Sequence, residues 1–340
     1  MAQIDIFITG ATGYIGGTVL SLLLDHKDTD HFNITALMRS AENAEKLKNA
    51  TGIEVVVGSH SDLDVVETLA SKASVIFSMA DCDDLELAKA KLRGAKKRYE
   101  ATGTPTEFIH ISGTGCLVDE SFGMYGPKEI IDDIDSERIA ALPITQPHRH
   151  VDLELVEADL QGYVRTYIVV PGAVYGIATG KVANSGAQNT RNKLFGLFCH
   201  MSFARKAAFM IGEGKNEWPH IEIGEVSSLI ALLYDSIMSS TTTTAHGKDG
   251  YYFAENGGYF LFEFSEVLQE VLVEAGLPNV GPTPFSPEEG IKMGPVFLRM
   301  IGGNARCKSS RSRSLGWSPV RTDFLVSYRE DLRIVASSMP

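Results

Sequence analysis

Cysteine is scarce: the 340-residue chain has four, Cys82, Cys116, Cys199 and Cys307, and no two of them form a CxxC pair. That spacing argues against a disulfide framework and a zinc site built from several cysteines, so the thiols read as free groups in a reducing compartment and no metal is expected. No apolar run reaches the length of a membrane span. Positive charge is also in deficit, with 31 Lys and Arg against 43 Asp and Glu and a formal net charge of -12. An acidic chain repels phosphate backbones and anionic headgroups, which argues against nucleic acid and membrane as partners. The first strand starts at Gln3 or Ile4 without a charged prelude, so no secretory or transit signal is read and the expected location is the cytoplasm. What is present is ordinary for a globular protein, 44% hydrophobic and 22% charged residues. The length suits about two domains, at roughly 100–200 residues each.

Over the first half of the chain, short apolar runs alternate with helical stretches. The runs are Ile4–Thr9, Ile34–Met38, Ile53–Val57, Ser74–Met79, Glu107–Ser112 and Val164–Val170. Most are continuously apolar, as parallel strands covered on both faces must be. Helices are predicted over Gly13–Asp25, Ala41–Asn49, Asp62–Lys72, Leu85–Ala101 and Val151–Leu160. This rhythm predicts an α/β fold with a doubly wound parallel sheet of Rossmann type. A long insertion, Gly113 to Arg149, leaves the fifth strand at its carboxyl end, where ligands bind in such sheets. Further helices are predicted near Asn192–Ala208, Glu225–Met238, Phe262–Ala275 and Thr322–Ser337. Ser239–Thr244 reads as an exposed low-complexity turn, and the basic residues Arg306, Lys308, Arg311 and Arg313 as a solvated face.

Residues Thr9–Gly17 read TGATGYIGG, placing Gly10, Gly13 and Gly16 between a strand and a helix. In that setting Gly10 permits a tight turn, Gly13 lets the backbone approach a pyrophosphate, and Gly16 lets helix and strand pack closely. The helix N-terminus offers unpaired N–H groups and its positive dipole end to the phosphates. The second strand ends at Met38 and is followed by Arg39 and Ser40. An acidic residue there would bind the ribose hydroxyls of NAD, whereas arginine pairs with the 2′-phosphate of NADP. NADPH is therefore expected over NADH.

These residues resemble the extended short-chain dehydrogenase/reductase family, whose relatives include nucleotide-sugar epimerases and NmrA-like proteins. The likeness spans nearly the whole chain. SVIFSMAD (Ser74–Asp81) resembles the family's fourth strand, FIHISGTG (Phe108–Gly115) its fifth and VVPGAVYG (Val169–Gly176) its sixth. IGEGKNEWPHIEIGEVSSLIALL (Ile211–Leu233) resembles the segment returning to the first domain, and LGWSP (Leu315–Pro319) a late motif. The resemblance implies a dinucleotide-binding domain over 1–175 plus about 221–255, and a smaller, mostly helical substrate domain over 176–220 and 256–340. It also implies cofactor contacts from Gly10, Thr12, Gly13, Tyr14, Ile15, Arg39, Ser40, Met79, Ala80, Asp81, Ser112, Gly113, Pro171, Gly172 and Val174. GSHS (Gly58–Ser61) occupies the place of the adenine-binding turn, with Ser59 where Asp is usual. His60 there either stacks on adenine or is a surface histidine.

The family's Tyr-x-x-x-Lys pair is missing. Counting back from Glu154 in QPHRHVDLE puts His150 at the Lys position and Gln146 at the Tyr position. His150 could hold the nicotinamide ribose and carry a proton, since imidazole titrates near neutrality. Tyr125, with Lys128 nearby, is a candidate acid from the insertion, and Ser112 or Thr114 a candidate for binding a substrate oxygen. Together these imply an NADP-dependent oxidoreductase acting on a small carbonyl-type metabolite, with a homodimer among the possible assemblies. Two alternatives stay open: an epimerase or isomerase with retained cofactor, and a non-catalytic NmrA-like dinucleotide sensor.

Overall fold

The computed structural model describes residues 3–239 and 244–339. Its main sheet contains β1 (Ile4–Thr9), β2 (Phe32–Met38), β3 (Glu54–Val57), β4 (Val75–Ser78), β5 (Thr106–Ile111), β6 (Val164–Pro171) and β7 (Tyr251–Ala254). All are parallel, in the order β7-β6-β5-β4-β1-β2-β3, so the strand order reverses between β1 and β4. A crevice opens at the carboxyl ends at such a reversal, and ligands bind there.

The continuous apolar runs are explained by two cores. Along β1, Ile6 and Ile8 belong to one core and Phe7 to the other; in β6, Tyr167 and Val169 oppose Ile168 and Val170. Alternate side chains leave opposite faces of a strand, so a sheet buried on both sides must be apolar at every position. The first face is covered by α1 (Tyr14–Leu24) and, from much later in the chain, Ile223–Met238, whose Leu229, Ile230 and Leu233 meet Val19, Leu20 and Leu23. The second face is covered by α3 (Leu63–Ala70), α4 (Leu85–Thr102) and α5 (Arg149–Leu160), while α2 (Ala41–Thr51) lies beside β3. Capping fixes two of these starts: Ser40 Oγ accepts from Asn43 N–H at 3.2 Å, and Asp84 Oδ1 from Leu87 N–H at 2.9 Å.

A third core joins α6 (Lys193–Arg205) to the later helices Leu261–Glu274 and Phe324–Ala336. It is largely aromatic, with Phe264 stacked on Tyr328 at 4.0 Å and Phe195 edge-on to Tyr328 at 4.9 Å between ring centroids. Among the described residues no helix is long and apolar enough to cross a membrane.

The sequence reading misses β7, whose four residues, Tyr251–Ala254, are too few to show a period, yet they pair with Ile168–Pro171 of β6. Positions 240–243 of the low-complexity turn lie outside the described residues. The basic stretch near the C-terminus is exposed at Lys308 and Arg313 and half-buried at Arg306 and Arg311, and each cation has a partner. Arg306 pairs with Glu217 at 2.9 Å, Lys308 with Asp132 at 3.3 Å and Arg313 with Glu255 at 3.7 Å, while Arg311 donates to the Asp133 carbonyl. These cations are matched to acids of the insertion and its neighbours, which leaves little charge for an external polyanion. The insertion is thereby tied down, and its Ile131–Asp132 pairs with Cys307–Lys308 as a short parallel ladder.

Candidate functional site

The glycine turn divides its work as the backbone demands. Gly10 has φ +76°, and a Cβ there would lie 2.6 Å from the Met79 carbonyl oxygen. A Cβ on Gly16 would overlap the Gly10 carbonyl. A Cβ on Gly13 would meet only the Gly10 carbonyl, at 3.0 Å for its oxygen, and would otherwise project into open space. Gly13 is the N-cap of α1, with no side chain capping the first turn and no acid within it. The turn borders a cavity of about 740 Å³, lined also by Thr12, Met38, Arg39, Ser40, His60, Met79, Ala80 and Asp81, and by Gln188, Asn189 and Lys193 from beyond β6. Uncapped helical N–H groups, a glycine surface and the Lys193 side chain suit a diphosphate, and Arg39 at the end of β2 adds a second cation to the same cavity. A dinucleotide fits this donor set.

A second cavity of about 530 Å³ adjoins the first, sharing Asn189 and Lys193. Its walls are mostly apolar: Ile15, Leu194, Phe195, Phe198, Trp218, Tyr259, Leu261, Phe264, Met300 and Ile301. Tyr14 crosses its edge, donating its hydroxyl hydrogen to the Gly176 carbonyl at 2.5 Å. One polar end is formed by Ser112, Gly113, Thr114, Cys82 and His148, with Pro171, Gly172 and Val174, and a second polar stretch of the wall by Asn189, Asn192 and Lys193.

His148 is the organised group of that end. It is the N-cap of α5 and adopts φ +68°, a left-handed conformation that costs a non-glycine residue about 1–3 kcal/mol. Asp83 holds it there twice, accepting from His148 N–H at 3.1 Å and meeting Nδ1 at 2.9 Å. Cys82 Sγ lies 3.3 Å from the same Nδ1. The other nitrogen, Nε2, lies over the turn after β5, where a Cβ on Gly113 or Gly115 would come within 3.1 or 2.9 Å of it. Glycine at both positions makes room for the ring. Burial works against a charged imidazole, but the bonds to Asp83 and Cys82 outweigh it and raise the His148 pKa well above the ordinary value.

The count from Glu154 is therefore corrected. It requires residues 146 and 150 on one helix, but α5 begins only at Arg149. Gln146 lies before it, donating to the Val118 carbonyl at 2.8 Å and accepting from Arg299 at 2.7 Å. His150 lines neither cavity, and its Nε2 lies 2.9 Å from the Asp83 carbonyl oxygen. Tyr125 lies outside both cavities too, half-exposed with the Lys128 ammonium 4.2 Å from its ring centroid. Ser59 also lies outside the dinucleotide cavity; its N–H donates to Asp62 at 2.7 Å and its hydroxyl accepts from Ser61, which shapes the turn presenting His60.

Of the groups around the cavity, Ser112 donates to the buried Asp152 at 3.2 Å, and burial pushes the Asp152 carboxyl up to about 6 despite the opposing Arg149 charge. Thr114 Oγ1 is buried with no partner among the described residues. At the end of β4, Ser78 accepts from the buried Lys91 ammonium at 2.8 Å and lies 3.1 Å from His110 Nδ1. Burial pushes Lys91 down to about 7 and His110 down to about 3, which leaves His110 neutral.

Comparison with known proteins follows the same lines. Residues 3–97 match the NmrA-like family. An oxidase of an Acremonium species, ucsJ, is 26% identical over 93% of this chain and 92% of its own length. The UDP-glucuronic acid 4-epimerase of Bacillus cereus, solved with UDP-glucuronic acid and NAD, superposes with a TM-score of 0.63 over 98% of this chain and 100% of that one, at 12% identity. The dTDP-glucose 4,6-dehydratase of Bacillus anthracis, solved with NAD, gives 0.63 over 98% and 97%, at 13% identity. The fold is the Rossmann-type α/β fold of these NAD-bound epimerase and dehydratase structures, as the resemblance to extended short-chain dehydrogenases/reductases implies. In this chain a histidine–aspartate pair stands beside the fifth strand's turn, and aromatic and aliphatic side chains wall much of the neighbouring cavity.

Proposed function

We propose that the protein is a nicotinamide-dependent oxidoreductase that reduces an apolar carbonyl compound, with NADPH preferred over NADH. The observation that carries this reading is the adjacency of the glycine-bordered groove to an apolar cavity whose polar end is built from His148, Thr114 and Ser112. When bound, the dinucleotide would supply hydride to the carbonyl carbon. His148 would supply the proton to the carbonyl oxygen from Nε2, with Asp83 fixing the ring through Nδ1, an arrangement of acid and orienting carboxylate that needs no tyrosine. Thr114, whose hydroxyl lacks a protein partner, would donate to the same oxygen. Asp83 is a positioning residue and touches no substrate.

The apolar walls favour this reading over epimerisation of a nucleotide sugar, whose many hydroxyls would be desolvated against Phe195, Phe198, Phe264 and Leu261 with Asn189, Asn192 and Lys193 as the few further partners. They also favour it over a sensor without substrate, because a cavity of about 530 Å³ is large enough for a metabolite. The test is NADPH consumption with a panel of aromatic and aliphatic aldehydes and ketones; turnover confined to hydrophilic sugars would reverse the assignment.

Two expected results follow from single side chains. Arg39 is exposed at the end of β2 and lines the groove beside Ser40 and Asn43. Arg39→Ala should remove most of the NADPH-over-NADH preference, about 1.5–3 kcal/mol, because a charge-assisted contact is lost. Calorimetry on both dinucleotides measures it, and equal affinities in the wild-type protein would contradict the NADP preference. Thr114→Val should act in two opposite directions. Replacing an unpartnered buried hydroxyl by a methyl should stabilise the fold by about 1 kcal/mol. The same change should lower kcat/KM by about threefold to tenfold, the worth of one neutral hydrogen bond. Thermal melts and steady-state kinetics on one preparation separate the two.

A further inference from the structure

We propose that Cys82, Asp83 and His148 form a site for one divalent cation of the zinc class, at the polar end of the apolar cavity. Each residue offers one ligand atom, and the three atoms lie within 4.8 Å of one another. Sulfur and carboxylate oxygen both address a single nitrogen, Cys82 Sγ at 3.3 Å and Asp83 Oδ1 at 2.9 Å from His148 Nδ1. Hydrogen bonding serves that junction poorly. With the Nδ1 hydrogen donated to Asp83 Oδ1, the thiol is left with a long contact to Asp83 Oδ2 at 4.0 Å, and sulfur gains only weak bonds. If the thiol donates instead, the carboxylate oxygen faces the nitrogen lone pair. A cation in place of the thiol and Nδ1 hydrogens would meet all three atoms.

The donor set selects the ion. Thiolate and imidazole are zinc ligands, and a carboxylate completes sets of this kind. Zn–S at about 2.3 Å and Zn–N or Zn–O at about 2.0 Å separate tetrahedral ligands by roughly 3.3–3.5 Å. The two contacts to His148 Nδ1 are a few tenths of an ångström shorter than that, and the contact of Cys82 Sγ with Asp83 Oδ2, at 4.0 Å, is longer. Cys82 and His148 line the cavity, so the fourth position opens into it. On binding, the thiol proton of Cys82 and the Nδ1 proton of His148 leave; one thiolate and one carboxylate then balance the two positive charges. Nothing is oxidised or reduced.

The site stands on geometry alone and not on the proposed reduction. Occupancy does, however, remove the hydrogen that pairs His148 with Asp83, so zinc is expected to inhibit turnover.

Cobalt titration of the full-length protein, after treatment with a chelator, tests the site. One equivalent of Co2+ should produce a thiolate-to-cobalt charge-transfer absorption, release two protons and be displaced by Zn2+. Cys82→Ser should abolish that absorption, and Asp83→Asn should weaken binding more than about tenfold. Unchanged circular dichroism and dinucleotide affinity confirm that the variants are folded. Absence of the charge-transfer band in the wild-type protein, or its persistence in Cys82→Ser, overturns the proposal. Because the readout is spectroscopic, it decides the metal site even if no carbonyl substrate is ever turned over. Turnover insensitive to zinc despite a normal cobalt spectrum would count instead against the role proposed for His148.

Discussion

His148→Ala should lower kcat for carbonyl reduction by about 10²–10⁴-fold, the range for loss of a positioned proton donor. Dinucleotide affinity should change little, because His148 lines the apolar cavity and not the glycine-bordered groove. The split between kcat and binding is the informative part. A residue that merely held α5 in place would show its loss in folding and stability, with no selective effect on kcat. The φ of +68° adds a control: His148→Gly suits that backbone conformation, so it should fold at least as well as the alanine variant yet be equally slow. His150→Ala supplies the contrast. Its ring reaches only the Asp83 backbone carbonyl, so turnover should stay within a few-fold of wild type. Steady-state kinetics on the three variants decides the matter, and a larger loss in His150→Ala than in His148→Ala would restore the register counted from Glu154.

The second large effect is expected at the glycine turn. Gly13→Val should abolish dinucleotide binding, because its side chain would stand at the N-terminus of α1, where the groove is built from backbone alone. The Cβ itself would lie 3.0 Å from the Gly10 carbonyl oxygen, a tight contact but one met on a single side. The variant should therefore fold, unlike substitutions at Gly10 or Gly16, whose Cβ atoms would run into the Met79 and Gly10 backbones. Calorimetry with NADPH, alongside circular dichroism, separates binding from folding. Normal affinity in the folded variant would make the glycine a purely structural one.

These two sites differ in how far the sequence reveals them, and the reason is physical. The glycine turn is a local demand of the backbone: a tight bend at Gly10 and close packing at Gly16 admit almost no other residue, so spacing alone marks it. The sheet is legible for a similar reason, since strands buried on both faces must be apolar throughout. β7 escapes because four residues carry no period, and its place is set by pairing with β6 from more than 80 positions away.

The proton-handling end is a long-range assembly. His148 gains its partners from a loop 65 and 66 positions earlier, and nothing local in DCDD or QPHRH announces the contact. The count from Glu154 points to His150, but a four-residue spacing has meaning only within a helix, and the helix starts one residue after His148. Lys193 and Asn189 escape for the same reason, reaching the groove from the far side of β6 with no motif around them. The aromatic residues of the cavity wall were legible only as core. Phe195, Phe198 and Phe264 belong to the third core and line the cavity as well, a double duty that burial alone does not disclose.

The central claim is that a carbonyl bound in the apolar cavity receives hydride from a dinucleotide in the adjoining groove. Incubation with NADPH deuterated at nicotinamide C4, across the panel of apolar aldehydes and ketones, tests it most directly through mass spectrometry of the products. The account predicts deuterium at the carbinol carbon of at least one product and its loss from the oxidised dinucleotide in equal amount. Saturable NADPH binding with no deuterium transferred to any member of the panel would contradict it.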